Sequence, residues 1–196
     1  MLTIVVPDSE IWNSKDNCFE TVKGQELRLE HSLISISKWE SKWHIPFLVS
    51  EKQTKRVKRF QKTTEQMLDY IRCMTINEVH DERIYFLLGE ANMKKINDYI
   101  NDPMTATTFA EKDKNDPDSI VAATSNFTTN EVIYYQMFEL NIPLECSKWH
   151  LNRLLTLIRV VSEKKAEAND PKRYSASTAK QHRAFSSAMR RPHIPR

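Results

Sequence analysis

The chain has 196 residues, 40% of them hydrophobic and 28% charged, with a formal net charge of +3 and only two glycines, Gly24 and Gly89. Two isolated glycines exclude a phosphate-cradling loop of the P-loop or dinucleotide type, which needs several where backbone and ligand approach closely. Three widely separated cysteines, Cys18, Cys73 and Cys146, form neither a disulfide framework nor a zinc knuckle and read as the reduced thiols of a cytosolic protein.

The first 30 residues read as β. Leu2–Val6 is a short strand stopped by Pro7, too short an apolar run for a signal peptide. Cys18–Val22 and Gln25–Leu29 flank Lys23-Gly24, which predicts a hairpin whose turn uses the freedom of Gly24 at positive φ. From Leu33 the period becomes helical: Leu33, Ile36, Trp39 and Trp43 share a face, and Pro46 closes the segment. Residues 52–62 are rich in Lys and Arg and read as a solvated approach to the next helix. That helix opens at Thr63 with Gln66 three residues on, the spacing of a capping box, and carries Met67, Leu68, Ile71 and Met74 as its apolar stripe.

Short helices follow. Asp81 is expected to cap a turn running to Leu88, and Asn92 a helix over Met93–Ile100 that stops at Asp102-Pro103. Residues 111–119 read as a polar surface loop. Thr128-x-x-Glu131 predicts a second capping box, opening a helix from about Thr129 to Leu140. After Pro143, Leu151, Leu154, Leu155, Ile158 and Val161 recur every three or four residues, the strongest helical pattern in the chain. Beyond Val161 aliphatic side chains nearly vanish. The expected fold class is therefore α+β, mostly α-helical: a short N-terminal β-hairpin or sheet (residues 1–30), a helical bundle (31–162) and a basic C-terminal tail (163–196), disordered alone or ordered by a partner. No apolar run approaches the roughly 20 residues of a membrane span, so no membrane contact is expected.

Charge is unevenly spread. Residues 163–196 hold nine Lys and Arg against three Asp and Glu, a net of +6, and residues 1–162 hold 20 against 23, a net of −3. The pairs Lys164-Lys165, Lys172-Arg173 and Arg190-Arg191 could meet nucleic-acid phosphates, with the salt dependence that counterion release imposes. Their spacing holds no recognition-helix pattern, so such binding would be nonspecific.

No catalytic or metal constellation emerges. Cys146 and His150 share a helical face, but a metal needs three or four ligands, and His44, Cys73 and His80 are distant in sequence. A small packed thiol and a partly exposed histidine are the simpler expectation, and core or surface roles likewise suit His31 and His80. The acidic groups around Asp113, Asp116 and Asp118 lack the glycine and closing glutamate of a calcium loop. Neither an enzyme nor a cofactor is expected. Trp39 and Trp43, with Phe47 beyond, and Trp149 could grip a peptide or stack bases, although tryptophans at helical spacing more often pack a core.

Four stretches carry a resemblance: 29–43 (LEHSLISISKWESKW), 69–76 (DYIRCMTI), 102–107 (DPMTAT) and 148–160 (KWHLNRLLTLIRV). Together they resemble a family of small tailed-bacteriophage proteins that accompany tail-morphogenesis genes and are described as tail assembly chaperones. The likeness extends from the N-terminus to about Val161. It implies a non-enzymatic protein that binds the tape-measure protein, or other tail proteins, in the host bacterial cytoplasm. On that reading Trp39, Trp43, Trp149 and Arg153 are candidate partner contacts, tail cations meet acidic partner surfaces, and self-association into a homo-oligomer is open. The alternatives are a structural virion protein of the tail or head–tail junction, and a nonspecific nucleic-acid-binding phage protein.

Overall fold

The computed structural model describes residues 1–49, 61–107 and 127–169. The basic run over 52–60, the polar loop 111–119 and the segment 170–196, with Lys172, Arg173, Arg190 and Arg191, lie outside the described residues. The fold class is α+β and mostly α-helical, with short antiparallel strand pairs at the N-terminus.

Four strands open the chain: β1 (Leu2–Val6), β2 (Ser9–Asn13), β3 (Cys18–Val22) and β4 (Gln25–Leu29). The expected hairpin between Cys18–Val22 and Gln25–Leu29 does not form. β1 pairs with β4 and β2 with β3, both antiparallel. The register runs on unchanged through both ladders, since Leu2 faces Leu29, Val6 faces Gln25, Ser9 faces Val22 and Asn13 faces Cys18. The four strands thus make one long hairpin, interrupted where Pro7-Asp8 lies opposite Lys23-Gly24. Pro7 cannot donate to a ladder, which accounts for the interruption. The side facing the body changes parity there: Ile4 and Val6 are buried in β1, whereas in β2 Ser9 and Ile11 are the less exposed residues and Trp12 is half exposed.

Gly24 also differs from expectation. Its φ is not positive. A Cβ there would stand 2.3 Å from the Val6 carbonyl oxygen, 2.5 Å from Pro7 C and 2.6 Å from Asp8 N. The glycine is required by close backbone approach, which the Gly24 N–H bond to Asp8 Oδ1 (2.6 Å) helps to hold.

The outer edge of β4 is covered from later in the chain. Glu30 N donates to Met74 O (2.9 Å) and Ile76 N to Arg28 O (2.9 Å). Asn77 extends the ladder with its side chain, accepting from Arg28 N (2.8 Å) and donating to Glu26 O (2.9 Å). Leu27 and Leu29 then face the helices fully buried.

Helix α1 (Leu33–Trp43) starts at Ser32, whose hydroxyl accepts from Ser35 N, and ends at His44 in the left-handed region. Helix α2 (Thr64–Met74) begins with the expected capping box, Thr63 and Gln66 bonding reciprocally at 3.2 and 2.9 Å. Asp81 caps a 3₁₀ turn over Glu82–Leu87, as expected. Helix α3 (Glu90–Asn101) begins one turn earlier than expected, at Gly89, because Asn92 turns its amide to the Val5 carbonyl instead of capping. Helix α4 (Asn130–Glu139) is preceded by Thr129, and no side chain of its own segment caps it. The Asn130 N–H goes instead to the Glu40 carboxylate (2.8 Å), so the Thr128–Glu131 box does not form. Strands β5 (Leu48–Val49) and β6 (Phe127–Thr128) pair beside it.

Helix α5 (Leu151–Asn169) runs through Ser162-Glu163 without a break. The boundary expected at residue 163 therefore falls inside a helix, and Lys164 and Lys165 are helical residues rather than part of a separate tail. The core between hairpin and helices is built from Leu27, Leu29, Ile36, Trp39, Tyr70, Met74, Ile133, Met137, Leu151 and Leu154, with further aliphatic groups around them.

Replacing Gly24 by alanine forces backbone atoms apart at the crossing of the two ladders. Gly24→Ala should destabilise the protein by about 1–3 kcal/mol, the range for overpacking a tight site. A urea midpoint equal to that of the parent protein would refute the close-approach assignment.

Candidate functional site

The candidate tryptophans separate. Trp39 is fully buried, its indole N–H given to the Gln66 carbonyl (2.8 Å) and its ring meeting Phe47 edge-on at 5.1 Å. It is a core residue, not the partner contact expected, because none of its surface reaches solvent. Trp43 is half-buried and tied by its N–H to Asp69 Oδ2 (2.9 Å). Burial pushes the Asp69 carboxyl up, but the Lys42 and Trp43 bonds and the nearby Arg72 outweigh it and hold the group below its usual range. Trp43 is therefore occupied with joining α1 to α2.

Trp149 and Arg153 do come together. The Arg153 guanidinium carbon sits 4.4 Å from the Trp149 ring centroid. Both line a cavity of about 310 Å³ with Met1, Glu30, Met104, Lys148 and His150. The local fold explains the placement. A 3₁₀ turn over Leu144–Lys148 ends with Trp149 N donating to Cys146 O (3.0 Å). His150 then bridges to Ser32, and Leu151 N donates to His31 O (2.7 Å). The start of α5 also closes the end of α3: His150 Nε2 donates to Tyr99 O (3.0 Å), and the Asn152 amide to Ile100 O (3.0 Å) and Asp102 O (2.7 Å). Late helix carbonyls lack intrahelical partners, so these bonds satisfy them. They also hold Met104 beside the cavity, three residues beyond α3. Across it, Glu30 accepts from Tyr99 Oη (2.8 Å) and pairs with the Met1 ammonium (3.2 Å). Met1, Glu30, Met104 and Lys148 carry no local signal of a shared site, since tertiary packing alone gathers them.

Beneath the cavity lies a buried aromatic and imidazole layer. The His31 and His150 rings are 5.0 Å apart, His31 Nδ1 bonds the Tyr70 hydroxyl, and Tyr99 meets His150 edge-on at 4.9 Å. His150 is buried, not partly exposed as expected. Burial, with His150 adjacent, lowers the His31 pKa from 6.5 to about 3. Burial likewise lowers that of His150. Cys146 packs as a small buried group. Among the described residues no three His, Cys, Asp or Glu side chains gather in a way that could hold a metal.

A second surface stands apart from this cavity. On α4, Ile133 and Met137 face the core, while Val132, Tyr135 and Phe138 are 42%, 64% and 63% exposed. These three recur every third residue on the outer face, and Leu144 is also exposed just beyond the helix. Because α4 is apolar on both faces, its sequence gave no amphipathic contrast to mark the outer one.

Lys164 and Lys165 are exposed, and Lys165 Nζ donates to Glu139 O (2.9 Å), joining α5 to the end of α4. No helix among the described residues is long and apolar enough to cross a membrane. Compared with protein families, with characterised proteins and with solved structures, the chain finds no match.

The imidazole layer sets a pH dependence. Unfolding frees His31 to take a proton near its ordinary pKa of 6.5, whereas the folded protein resists protonation until about pH 3. The unfolded state thus binds more protons in that window, so stability is full above about 6.5 and falls as pH drops toward 3. The loss from this group should reach about 3–5 kcal/mol at the acid end. Denaturant midpoints at pH 7.5 and pH 4.5 test it: His31→Gln should flatten the difference, and an unchanged slope would contradict the assignment.

Proposed function

We propose that this chain is a non-enzymatic assembly factor of a tailed bacteriophage, binding the tape-measure protein in the bacterial cytoplasm before tail-tube subunits enclose it. The reading rests on the resemblance carried by residues 29–43, 69–76, 102–107 and 148–160. The single structural observation that favours it is the outward apolar row Val132, Tyr135 and Phe138 on a helix already anchored by its inner face.

The chemistry suits a helical client. An amphipathic helix exposes an apolar stripe with the same spacing of three to four residues, and laying one stripe on another removes both from water. A long tape-measure chain presents many such stripes until the tube covers them. A chaperone must release its client, so the shared apolar area should be modest, and three side chains on one helix meet that need. Glu131 and Glu139 are exposed at the two ends of the row and favour a client helix with flanking cations.

Co-expression tests the proposal. The parent chain should keep the tape-measure protein soluble and co-purify with it, and should be absent from finished particles. The triple variant Val132→Ser, Tyr135→Ser, Phe138→Ser should lose most of that effect while folding normally, because exposed positions typically cost within about 0.5 kcal/mol each. Fixed stoichiometry in purified virions would overturn the chaperone role in favour of a structural tail or head–tail protein. Binding to DNA that weakens steeply with salt would favour the nucleic-acid reading.

A further inference from the structure

The outer face of α4 is bounded by charge as well as apolar. The exposed residues of this helix are Glu131, Val132, Tyr135, Phe138 and Glu139, whereas Asn130, Ile133 and Met137 are buried. At 3.6 residues per turn the exposed set falls within about 120° of arc centred on Tyr135, opposite Ile133 and Met137. One glutamate stands at each end of the row, about 12 Å apart along the axis. Both lie inside the arc, about 40° to either side of Tyr135, so whatever covers the apolar side chains also meets the two charges. Neither carboxylate forms an ion pair among the described residues. Lys165 reaches the Glu139 end but donates to its carbonyl (2.9 Å), where the last helix carbonyls are themselves partly negative.

The sign of these charges discriminates among occupants. A second copy laid on this face brings acid to acid at both ends whichever way it runs. Antiparallel, Glu131 meets the partner's Glu139; parallel, each glutamate meets its own counterpart. Like charges so placed oppose self-association. An apolar helix without charge covers the row but draws two carboxylates out of water with no compensating bond. A helix with Lys or Arg at both ends of its stripe compensates both.

We propose, resting on the reading of α4 as the client surface, that Glu131 and Glu139 are the specificity-determining residues of this face. They admit an amphipathic helix whose apolar stripe carries a cation at each end, about 12 Å apart, and they refuse a second copy of the chain. Contact and choice are thereby divided between different side chains. Val132, Tyr135 and Phe138 adhere to any amphipathic stripe, and the two rim charges select among stripes and speed encounter more than they add affinity. The division keeps the row free in the absence of a client, although three apolar side chains on one helix would otherwise invite pairing with another copy.

Calorimetry on the full chain compares three synthetic helical peptides that share one leucine stripe and differ in flanks of lysine, glutamine or glutamate. The lysine-flanked peptide should bind about three- to tenfold more tightly than the glutamine-flanked one, the effect of two exposed ion pairs. The glutamate-flanked peptide should bind more weakly than either, and the spread should narrow as salt rises. Glu131→Gln combined with Glu139→Gln should bind all three alike. Glu131→Lys combined with Glu139→Lys should reverse the order. The lysine at position 131 opposes the helix macrodipole, so the glutamine pair carries the test if the lysine pair fails to fold. In sedimentation the parent chain should run as a monomer. No binding of any peptide, equal affinity for the three, or a lysine preference that survives in the glutamine pair would each overturn the proposal. A parent dimer that Val132→Ser, Tyr135→Ser, Phe138→Ser abolishes would overturn it too, and would assign the face to a second copy. A lysine preference without capture of the tape-measure protein would uphold the specificity and sink the chaperone reading. Capture without a charge preference would do the reverse.

Discussion

The Glu40 carboxylate holds the body together. One oxygen accepts from Phe47 N (2.6 Å) and the other from Asn130 N (2.8 Å), so a single α1 side chain fixes the chain leaving α1 and the start of α4, 90 residues later. It supplies α4 with the cap that Thr129 does not make and sets negative charge at a helix N-terminus. Burial pushes the Glu40 carboxyl above its usual range, against the pull of those two bonds. Lys62 completes the arrangement from the other side, donating to Phe47 O (2.8 Å) and lying 4.3 Å over its ring. Both backbone polar groups of Phe47 are thus gripped by oppositely charged side chains. Its ring is pinned against Tyr70 at 4.1 Å. Each bond to a charged group contributes about 1.5–3 kcal/mol, and losing either partner would strand the other without water.

This pattern recurs. Asp69, His31 and His150 are also buried polar groups, and each bonds a specific element: Asp69 joins α1 to α2, His31 reaches Tyr70, and His150 closes α3. Polar groups in a core of aliphatic and aromatic side chains restrict which packings are acceptable, since a slipped helix leaves them unpaired. Of these, His150 alone keeps a buried side-chain atom without a hydrogen-bond partner, its Nδ1.

What could be read in advance follows the range of the forces. The spans of α1 and α2 were legible because the apolar period and the Thr63–Gln66 box act within one or two turns. Strand existence was legible at Leu2–Val6, Cys18–Val22 and Gln25–Leu29, but pairing was not. Lys23-Gly24 has the composition of a turn, yet the chain turns at residues 14–17, where Asn17 takes the left-handed conformation. Trp12 and Phe19 face each other across β2 and β3 with rings 5.0 Å apart, a cross-strand aromatic pair that favours this register. The Trp149–Arg153 contact was not legible, because Trp149 stands in extended backbone before α5 and helical spacing does not reach it, and Met1, Glu30 and Met104 come to the same cavity only through the tertiary fold. The α4 row stayed hidden because its inner face is apolar as well.

The course of α5 alters how the basic end of the chain is understood. Charge changes sign near residue 163, and composition alone makes that a boundary. The helix makes no such distinction: it starts at the cavity with Trp149 and Arg153 near its first turn and continues through Lys164 and Lys165 to Asn169. Val161 still packs against the core, and Lys165 still bonds the end of α4. The first cations of the basic segment are therefore held at fixed positions by the same helix that begins beside Trp149 and Arg153. The loss of aliphatic residues after Val161 marks where α5 leaves the core, not where it ends. Any partner that engages Lys164 and Lys165 consequently meets a rigid helical surface whose orientation is set by the packing of Leu151, Leu154 and Ile158.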